Sequence, residues 1–300
     1  MATGSPNRGA VPSGEERLIV AQGERREAVI EVIRSARRRL ILSVFRCDDF
    51  KVMDELDDAI QRGVQVEALM TARAKGWEEK LADLEMFLEG MGAKVRRYAD
   101  PVIKYHAKYI VADEETALIA SGNLTRKCFD KTCDFVLITT AKEVVAGLQT
   151  LFDSDRDSTE SSLPQGLSER LIISPQRARA KFVELMEQAG QSIAIIDRRI
   201  TDPGIHHLLK TKRGAGVEVQ LLDGGAVGKD MISHGRLLLV DGRTAAIGSI
   251  SLDAEALDFR REVAVILDDR ACVAQLSEFF RTVSRIKPDQ PTEPAPYDAL

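Results

Sequence analysis

No stretch of this sequence approaches the roughly 18 consecutive apolar residues that a membrane-spanning helix needs, and its opening residues, MATGSPNRGAVPSGEER, lack the apolar centre of a secretory signal. The expectation is a cytoplasmic chain with no transmembrane segment that meets lipid only at a membrane periphery. Paired cysteines are missing as well. Cys47, Cys128, Cys133 and Cys272 are scattered without CxxC spacing, which argues against a disulfide framework and a zinc site and leaves reduced thiols. Strong charge of either sign is also absent. A formal net charge of -5 argues against non-specific duplex binding, which draws on an excess of Lys and Arg, but leaves room for a local basic cleft.

The apolar fraction of 44% and charged fraction of 30% are ordinary for a globular protein and exclude wholesale disorder. At roughly 100 to 200 residues per domain, the length favours two compact units. Residues 1–15, rich in Gly, Pro and Ser, and residues 286–300, rich in Pro, read as disordered tails. Between them RREAVIEVIRSARRR has helical periodicity, LILSVF reads as a strand, FKVMDELDDAIQRG as a helix ending at Gly63, and VQVEALMT as a strand. RAKFVELMEQAG, SIAIID, IHHLLKTKRGAG and VEVQLLD repeat that helix and strand order, the signature of an α/β sheet with crossovers. A polar stretch at 154–169, punctuated by Pro and Gly, reads as the linker between domains at 16–153 and 170–285.

The halves are related in detail. Residues 106–140 laid on 234–268 at a constant offset of 128 match at nine positions, among them His106 with His234, Asp113 with Asp241 and Ser121 with Ser249. Strand periodicity alone does not call for His, Asp and Ser at those places. Upstream, Gly63-Val64 matches Gly216-Val217 at an offset of 153, so about 25 extra residues (153 minus 128) lie between Thr71 and Tyr105. The inserted AKGWEEKLADLEMFLEGMGAK reads as an added helix ending near Gly90 or Gly92.

His106, Lys108 and Asp113 form H-x-K-x4-D, followed by Ser121, Asn123 and Asp134; the copy reads His234, Arg236, Asp241, Ser249, Ser251 and Glu262. Strand geometry would put His106 and Lys108 on one face, and likewise His234 and Arg236, so each half presents an imidazole beside a cation. That suits phosphoryl chemistry. A cation neutralises non-bridging oxygens, and a neutral imidazole can attack phosphorus or protonate a leaving oxygen. Two imidazoles can divide these tasks, and a carboxylate on the far ring nitrogen of each would fix its tautomer. Asp134 and Glu262 are candidates, each 28 residues beyond its own half's histidine (134 minus 106 and 262 minus 234).

At these residues the sequence resembles the phospholipase D superfamily, whose signature is H-x-K-x4-D followed by G-S-x-N, over nearly the whole chain outside the tails. The resemblance implies an α/β fold of two pseudo-twofold-related phospholipase D-like domains, each a mixed β-sheet flanked by helices, with the motifs meeting at their interface. It also implies a phosphohistidine intermediate, no cofactor and no metal. Carried over, His106 looks like the nucleophile and His234 like the general acid and base. Lys108, Asn123 and Arg236 resemble the phosphate-binding groups, with Ser121, Ser249 and Ser251 supporting, and Asp113 and Asp241 look structural. The chain departs from the pattern at Ala120, Arg236 and Ser251, where the family has Gly, Lys and Asn. Arg is a planar fork rather than a compact donor, and Ser is shorter than Asn with fewer donors.

The leading reading is a phospholipase D-like phosphodiesterase or phosphatidyltransferase, similar to cardiolipin synthases, acting on a phospholipid headgroup or another phosphodiester. A metal-independent nuclease is the alternative, since Lys104, Arg126, Lys127 and Lys131 flank the first motif and Arg198, Arg199, Arg260 and Arg261 the second. A catalytically decayed binding protein is the third. Elsewhere, His206 and His207 read as solvated helix positions, and Arg37, Arg38 and Arg39 as a solvated run at a helix C-terminus. Trp77 and Met86 in the insertion are expected to pack in the core, with a lid or lipid-facing element as the alternative.

Overall fold

The computed structural model describes residues 15–223, 226–227 and 231–285, so the two tails, apart from Glu15, lie outside the described residues. The first half runs β1 (Glu16–Ile19), α1 (Gln22–Ser35), β2 (Arg39–Val44), α2 (Phe50–Gln61), β3 (Gln65–Met70), α3 (Glu78–Met91) and β4 (Lys94–Arg97). It continues through β5 (Lys104–Tyr105), β6 (Tyr109–Ala112), β7 (Thr116–Ala120), α4 (Arg126–Asp130), β8 (Thr132–Cys133), β9 (Val136–Thr139) and α5 (Lys142–Asp157). The second half runs β10 (Leu171–Ile173), α6 (Ala178–Glu187), β11 (Ser192–Asp197), α7 (Pro203–Gly214), β12 (Glu218–Asp223), β13 (Ala226–Val227) and β14 (Met231–Ser233). It closes with β15 (Arg236–Val240), β16 (Thr244–Gly248), α8 (Ala254–Asp258), β17 (Arg260–Arg261), β18 (Val263–Leu267) and α9 (Arg270–Arg285).

The sheet orders show the duplication directly. One sheet is β1-β9-β7-β6-β2-β3-β4 and the other β10-β18-β16-β15-β11-β12. Strand for strand they coincide, and the surplus strand β4 comes from the insertion. That insertion contributes the expected helix, which Gly92 ends in the left-handed region at φ 102°. It also contributes β4, an edge strand parallel to β3, that the helical reading overlooked.

Capping residues recur at equivalent places. Asp49 and Asp202 accept from the backbone N–H three residues on to start α2 and α7, and Thr125 and Asp253 do the same for α4 and α8. Strand alternation then divides the core into layers. Leu40, Leu42 and Val44 of β2 face a core under α1 and α2, while Ile41 faces inward. Ile193 and Ile195 of β11 face the corresponding outer core, and Ile196 faces inward. The inner core is shared by both sheets together with α5 and α9. The two units are therefore joined through a common apolar layer rather than standing apart. The linker expected at 154–169 begins inside α5, which continues to Asp157 because Phe152 and Asp155 are still buried.

Arg37 and Arg38 lie in the turn after α1 rather than on the helix, and Arg39 starts β2. Their backbone N–H groups all donate to the Asp113 carboxylate at 2.6 to 2.9 Å, and those of Gly190, Gln191 and Ser192 donate to Asp241 at 2.7 to 2.9 Å. Each aspartate sits at φ 53°, a strained setting for a residue other than Gly. Burial alone would raise both carboxyls, but the three N–H donors hold each below the usual carboxylate range. Their contribution to stability is therefore present above the unfolded carboxyl value of about 3.9 and lost as pH falls through the lower folded value. Asp241→Ala is expected to lower unfolding free energy by about 1–3 kcal/mol, a range reduced for solvent access. Denaturant titrations should show that gap closing in acid.

Candidate active site

The short strands between the halves determine where the chemistry sits. β5 pairs parallel with β17, and β8 pairs parallel with β14. His106 directly follows β5, and its N–H donates to the Arg261 carbonyl at 2.9 Å, one residue before Glu262. Gly235, just beyond His234, donates its N–H to the Cys133 carbonyl at 2.5 Å, one residue before Asp134. Each histidine is thereby delivered to the carboxylate of the opposite half. His106 Nδ1 lies 2.8 Å from Glu262 Oε1, and His234 Nδ1 lies 2.9 Å from Asp134 Oδ1. The equal spacing of 28 residues suggested partners within each half; the structure exchanges them, because the backbone pairing crosses the interface.

All four groups are buried, as are Lys108 and Arg236. His106 and Lys108 lie between β5 and β6 rather than within a strand, although the Lys108 carbonyl accepts the Ala120 N–H at 3.0 Å. The two side chains meet, with Lys108 Nζ 3.1 Å from His106 Nδ1 and 2.6 Å from the His106 carbonyl. Arg236 mirrors this by donating to the His234 carbonyl. Phe45 closes one side, its ring centroid 4.3 Å from that of His106.

The two pairs are electrostatically unequal. Burial pushes Asp134 up, but the His234 ring, the Arg25 guanidinium and the Thr132 hydroxyl outweigh it and hold the carboxyl at about 2. Ser121 also donates to it at 2.8 Å. Glu262 has no such hydroxyls. The position of Thr132 is taken by Arg260, whose guanidinium is 3.6 Å away, and neither Glu262 oxygen accepts an aligned hydrogen bond from a described residue. Burial therefore prevails and raises Glu262 to about 7 despite Arg260, Lys108 and Arg236. Burial lowers both histidines. For His106 the charges of Lys108, Arg260, Arg236 and Lys104 add to that effect and carry it well below its ordinary value, whereas for His234 Asp134 opposes it. Lys108 itself is brought down to about 7, chiefly by burial. The charges of Lys108 and Arg236 lower both rings, so the two imidazoles share the influence of the same pair of cations.

Gly122 is required by this packing. A Cβ there would come within 2.7 Å of Asp134 Cγ, so a larger residue would push the carboxylate off His234. Asn123 is buried with its Oδ1 lacking a described partner. Ser251, expected beside the phosphate, instead gives its hydroxyl to Asp197 at 2.6 Å. Ser249 bonds its strand neighbour Val263 at 3.3 Å, and Ser121 steadies Asp134. These three hydroxyls are engaged within the protein rather than left open for a ligand.

Sequence reasoning missed Arg25 and Asp197. Arg25, at the start of α1, reaches the carbonyls of Cys128 and Thr132 at 2.9 Å each, fixing the turn that carries Asp134. Asp197 holds Ser251 and the Leu252 N–H and faces the charge of Arg236. Neither belongs to a duplicated motif, so no spacing signal marked them. The expected core residue Met86 is 68% exposed, while Trp77 is partly buried. His206, read as solvated, contacts the Ile200 carbonyl. All four cysteines are free and buried. Among the described residues one trio, Cys128, Asp134 and His234, brings metal-ligand atoms within 4.8 Å of one another. Two of its members already bond each other, and burial pushes the Cys128 thiol up to about 11.

The family model described as cardiolipin synthase, PLD-like domain, matches residues 29–156 and 170–284. The chain belongs to the phospholipase D superfamily. Cardiolipin synthase A of Pseudomonas aeruginosa is 29% identical over 168 residues, 55% of this chain and 31% of that protein. Polyphosphate kinase of Vibrio cholerae is 24% identical over 197 residues, 60% of this chain and 27% of that one. The chain thus spans about a third or less of the length of these curated relatives. The phosphatidylserine synthase structure from Haemophilus influenzae superposes with a TM-score of 0.74 at 13% identity, covering 91% of this chain and 88% of that one. A superfamily fold of two mixed α/β repeats is what these likenesses share. Among the described residues no helix is long and apolar enough to cross a membrane.

Proposed function

We propose that this chain transfers or hydrolyses phosphatidyl groups through a covalent phosphohistidine on His106. The observation that carries the reading is the exchanged pairing of two imidazoles with two carboxylates around Lys108 and Arg236, with unequal charge on the two pairs. His106, kept neutral by its surroundings, attacks phosphorus through Nε2, forming the P–N bond as the P–O bond to the leaving alcohol breaks. His234, whose protonated form Asp134 supports, gives that oxygen its proton. It then takes a proton from water or an acceptor alcohol, whose oxygen displaces His106. Lys108 and Arg236 neutralise the non-bridging oxygens, and the Asn123 amide, once turned over, offers a further donor.

The cardiolipin synthase relatives support a phosphatidyl substrate. The nuclease reading drew on basic flanks, but Arg260 and Arg261 are buried. Arg260 pairs with Glu255, and Arg261 is occupied by Asp155, Ser162 and Ser174. Incubation with phosphatidylglycerol vesicles, a primary alcohol and chelator is expected to release or exchange the headgroup. No exchange, with DNA cleaved in its place, would return the nuclease; inertness toward both would favour a decayed site.

A further inference from the structure

A groove of about 780 Å³ opens on the outer face of the first half, between the start of α2 and the inserted helix α3. Its size falls within the roughly 300–1,000 Å³ of small-molecule sites. Phe50, Met53, Trp77, Leu84, Phe87 and Met91 form most of its wall. Phe50 at 66% exposed, Met86 at 68% and Phe87 at 44% stand at its edge, although side chains of this kind are ordinarily covered. The groove exists because of the insertion: α3 has no counterpart in the second half.

Two further observations say what would cover it. The rim carries charge of both signs, with a cation over each of two ring faces. Lys80 Nζ lies 4.8 Å from the Trp77 centroid, and the Arg126 guanidinium lies 5.6 Å from that of Phe50. Asp48 and Asp83 also line the groove, and Asp48 is engaged by the Arg126 backbone N–H at 2.9 Å. Second, one stacked column of buried side chains separates the groove wall from the active site. The Arg46 guanidinium lies 5.0 Å from both the Trp77 and the Phe45 centroids, and Phe45 packs on His106. An apolar trough that lies one stacked column of side chains from a phosphate-handling centre fits the apolar part of an amphiphile whose phosphate lies at that centre.

We infer that this groove holds an acyl chain of the phosphatidyl substrate, an assignment that rests on the reaction proposed above. Flexible Met53, Met86 and Met91 suit a chain of variable length and unsaturation. A peptide would bring backbone donors and acceptors that these side-chain walls leave unsatisfied.

The chain's one tryptophan is Trp77, so its fluorescence reports on the groove alone. Gly90 lines the same groove, and a Cβ there meets nothing within 4 Å, so Gly90→Ala is accommodated and leaves the trough open while Gly90→Phe adds a ring to it. The probe is monomeric lysophosphatidylglycerol with a brominated acyl chain, added to the His106→Ala protein so that nothing turns over. Saturable quenching of Trp77 is expected, weakened at least tenfold by Gly90→Phe and unchanged by Gly90→Ala. Dibutyroylphosphatidylglycerol, too short to occupy the trough, is expected to compete poorly. Absence of quenching, or quenching undiminished in Gly90→Phe, would overturn the assignment. Headgroup exchange by the wild-type chain is scored separately. Exchange without quenching removes the groove alone, whereas quenching without exchange removes the claim that the bound chain belongs to a substrate.

Discussion

With a p-nitrophenyl phosphodiester, His234→Ala is expected to release one equivalent of nitrophenolate rapidly and then stall, while His106→Ala releases none. The leaving phenolate needs no proton, so losing the residue proposed as general acid spares the first displacement and blocks the second, where a base must activate water. The stalled protein should carry an acid-labile phosphoryl adduct on His106, visible by intact mass. On a phosphatidyl substrate both variants are expected to lose at least about 10⁴-fold, since alkoxide departure needs the acid as much as attack needs the nucleophile. The assignment of roles follows from position. His106 is surrounded by Lys108, Arg260, Arg236 and Lys104, which keep it neutral, whereas His234 faces an ionised carboxylate. An adduct on His234, with the burst retained in His106→Ala, would reverse the roles.

The same crossing explains what the sequence could and could not reveal. Both histidines, both cations and both carboxylates stood out because duplication repeats them at a constant offset, and periodicity gave the β2, α2, β3 and β11, α7, β12 series. The exchange of carboxylates was not legible, since it depends on β5 with β17 and β8 with β14, strands of two or three residues with no pattern of their own. Arg25 was invisible for a related reason. It comes from a helix more than 100 residues before the turn it holds, and a buried arginine on an amphipathic helix looks like any solvated one. Ser251 was misread because its partner Asp197 stands where the first half has Val44, a difference that only matters once the two loops meet. Met86 was expected in the core, with a lid or lipid-facing element as the alternative; α3 buries Leu81, Leu84 and Leu88 and leaves Met86 and Phe87 exposed.

Asp134→Asn and Glu262→Gln remove the same charge from equivalent positions, and they are expected to have unequal effects. Asp134 is ionised throughout the working range, so losing it deprives His234 of the charge that supports its protonated form. A fall of about 10³–10⁴ in kcat is expected for lipid, by analogy with other carboxylate-supported histidines, with little loss of the first step for a nitrophenyl ester. Glu262 titrates at about 7 and is largely neutral on the acid side, so its loss should cost only about 10 to 100-fold near neutrality. The pH dependence of kcat/KM separates the two further. As pH rises through about 7, Glu262 ionises and steadies the positive charge that develops on His106, so the rate climbs. Over the same range Lys108 loses its proton and with it the charge that receives the phosphate, so the rate falls. A narrow bell results, its two limbs belonging to the coupled pair rather than to either residue alone. Glu262→Gln should abolish the rising limb and move the falling one to lower pH, because the Glu262 charge helps keep Lys108 protonated, whereas Asp134→Asn should lower the whole bell without moving its limbs. Equal defects in the two variants, or an unaltered bell in Glu262→Gln, would show that the crossed carboxylates do not divide the work between nucleophile and acid.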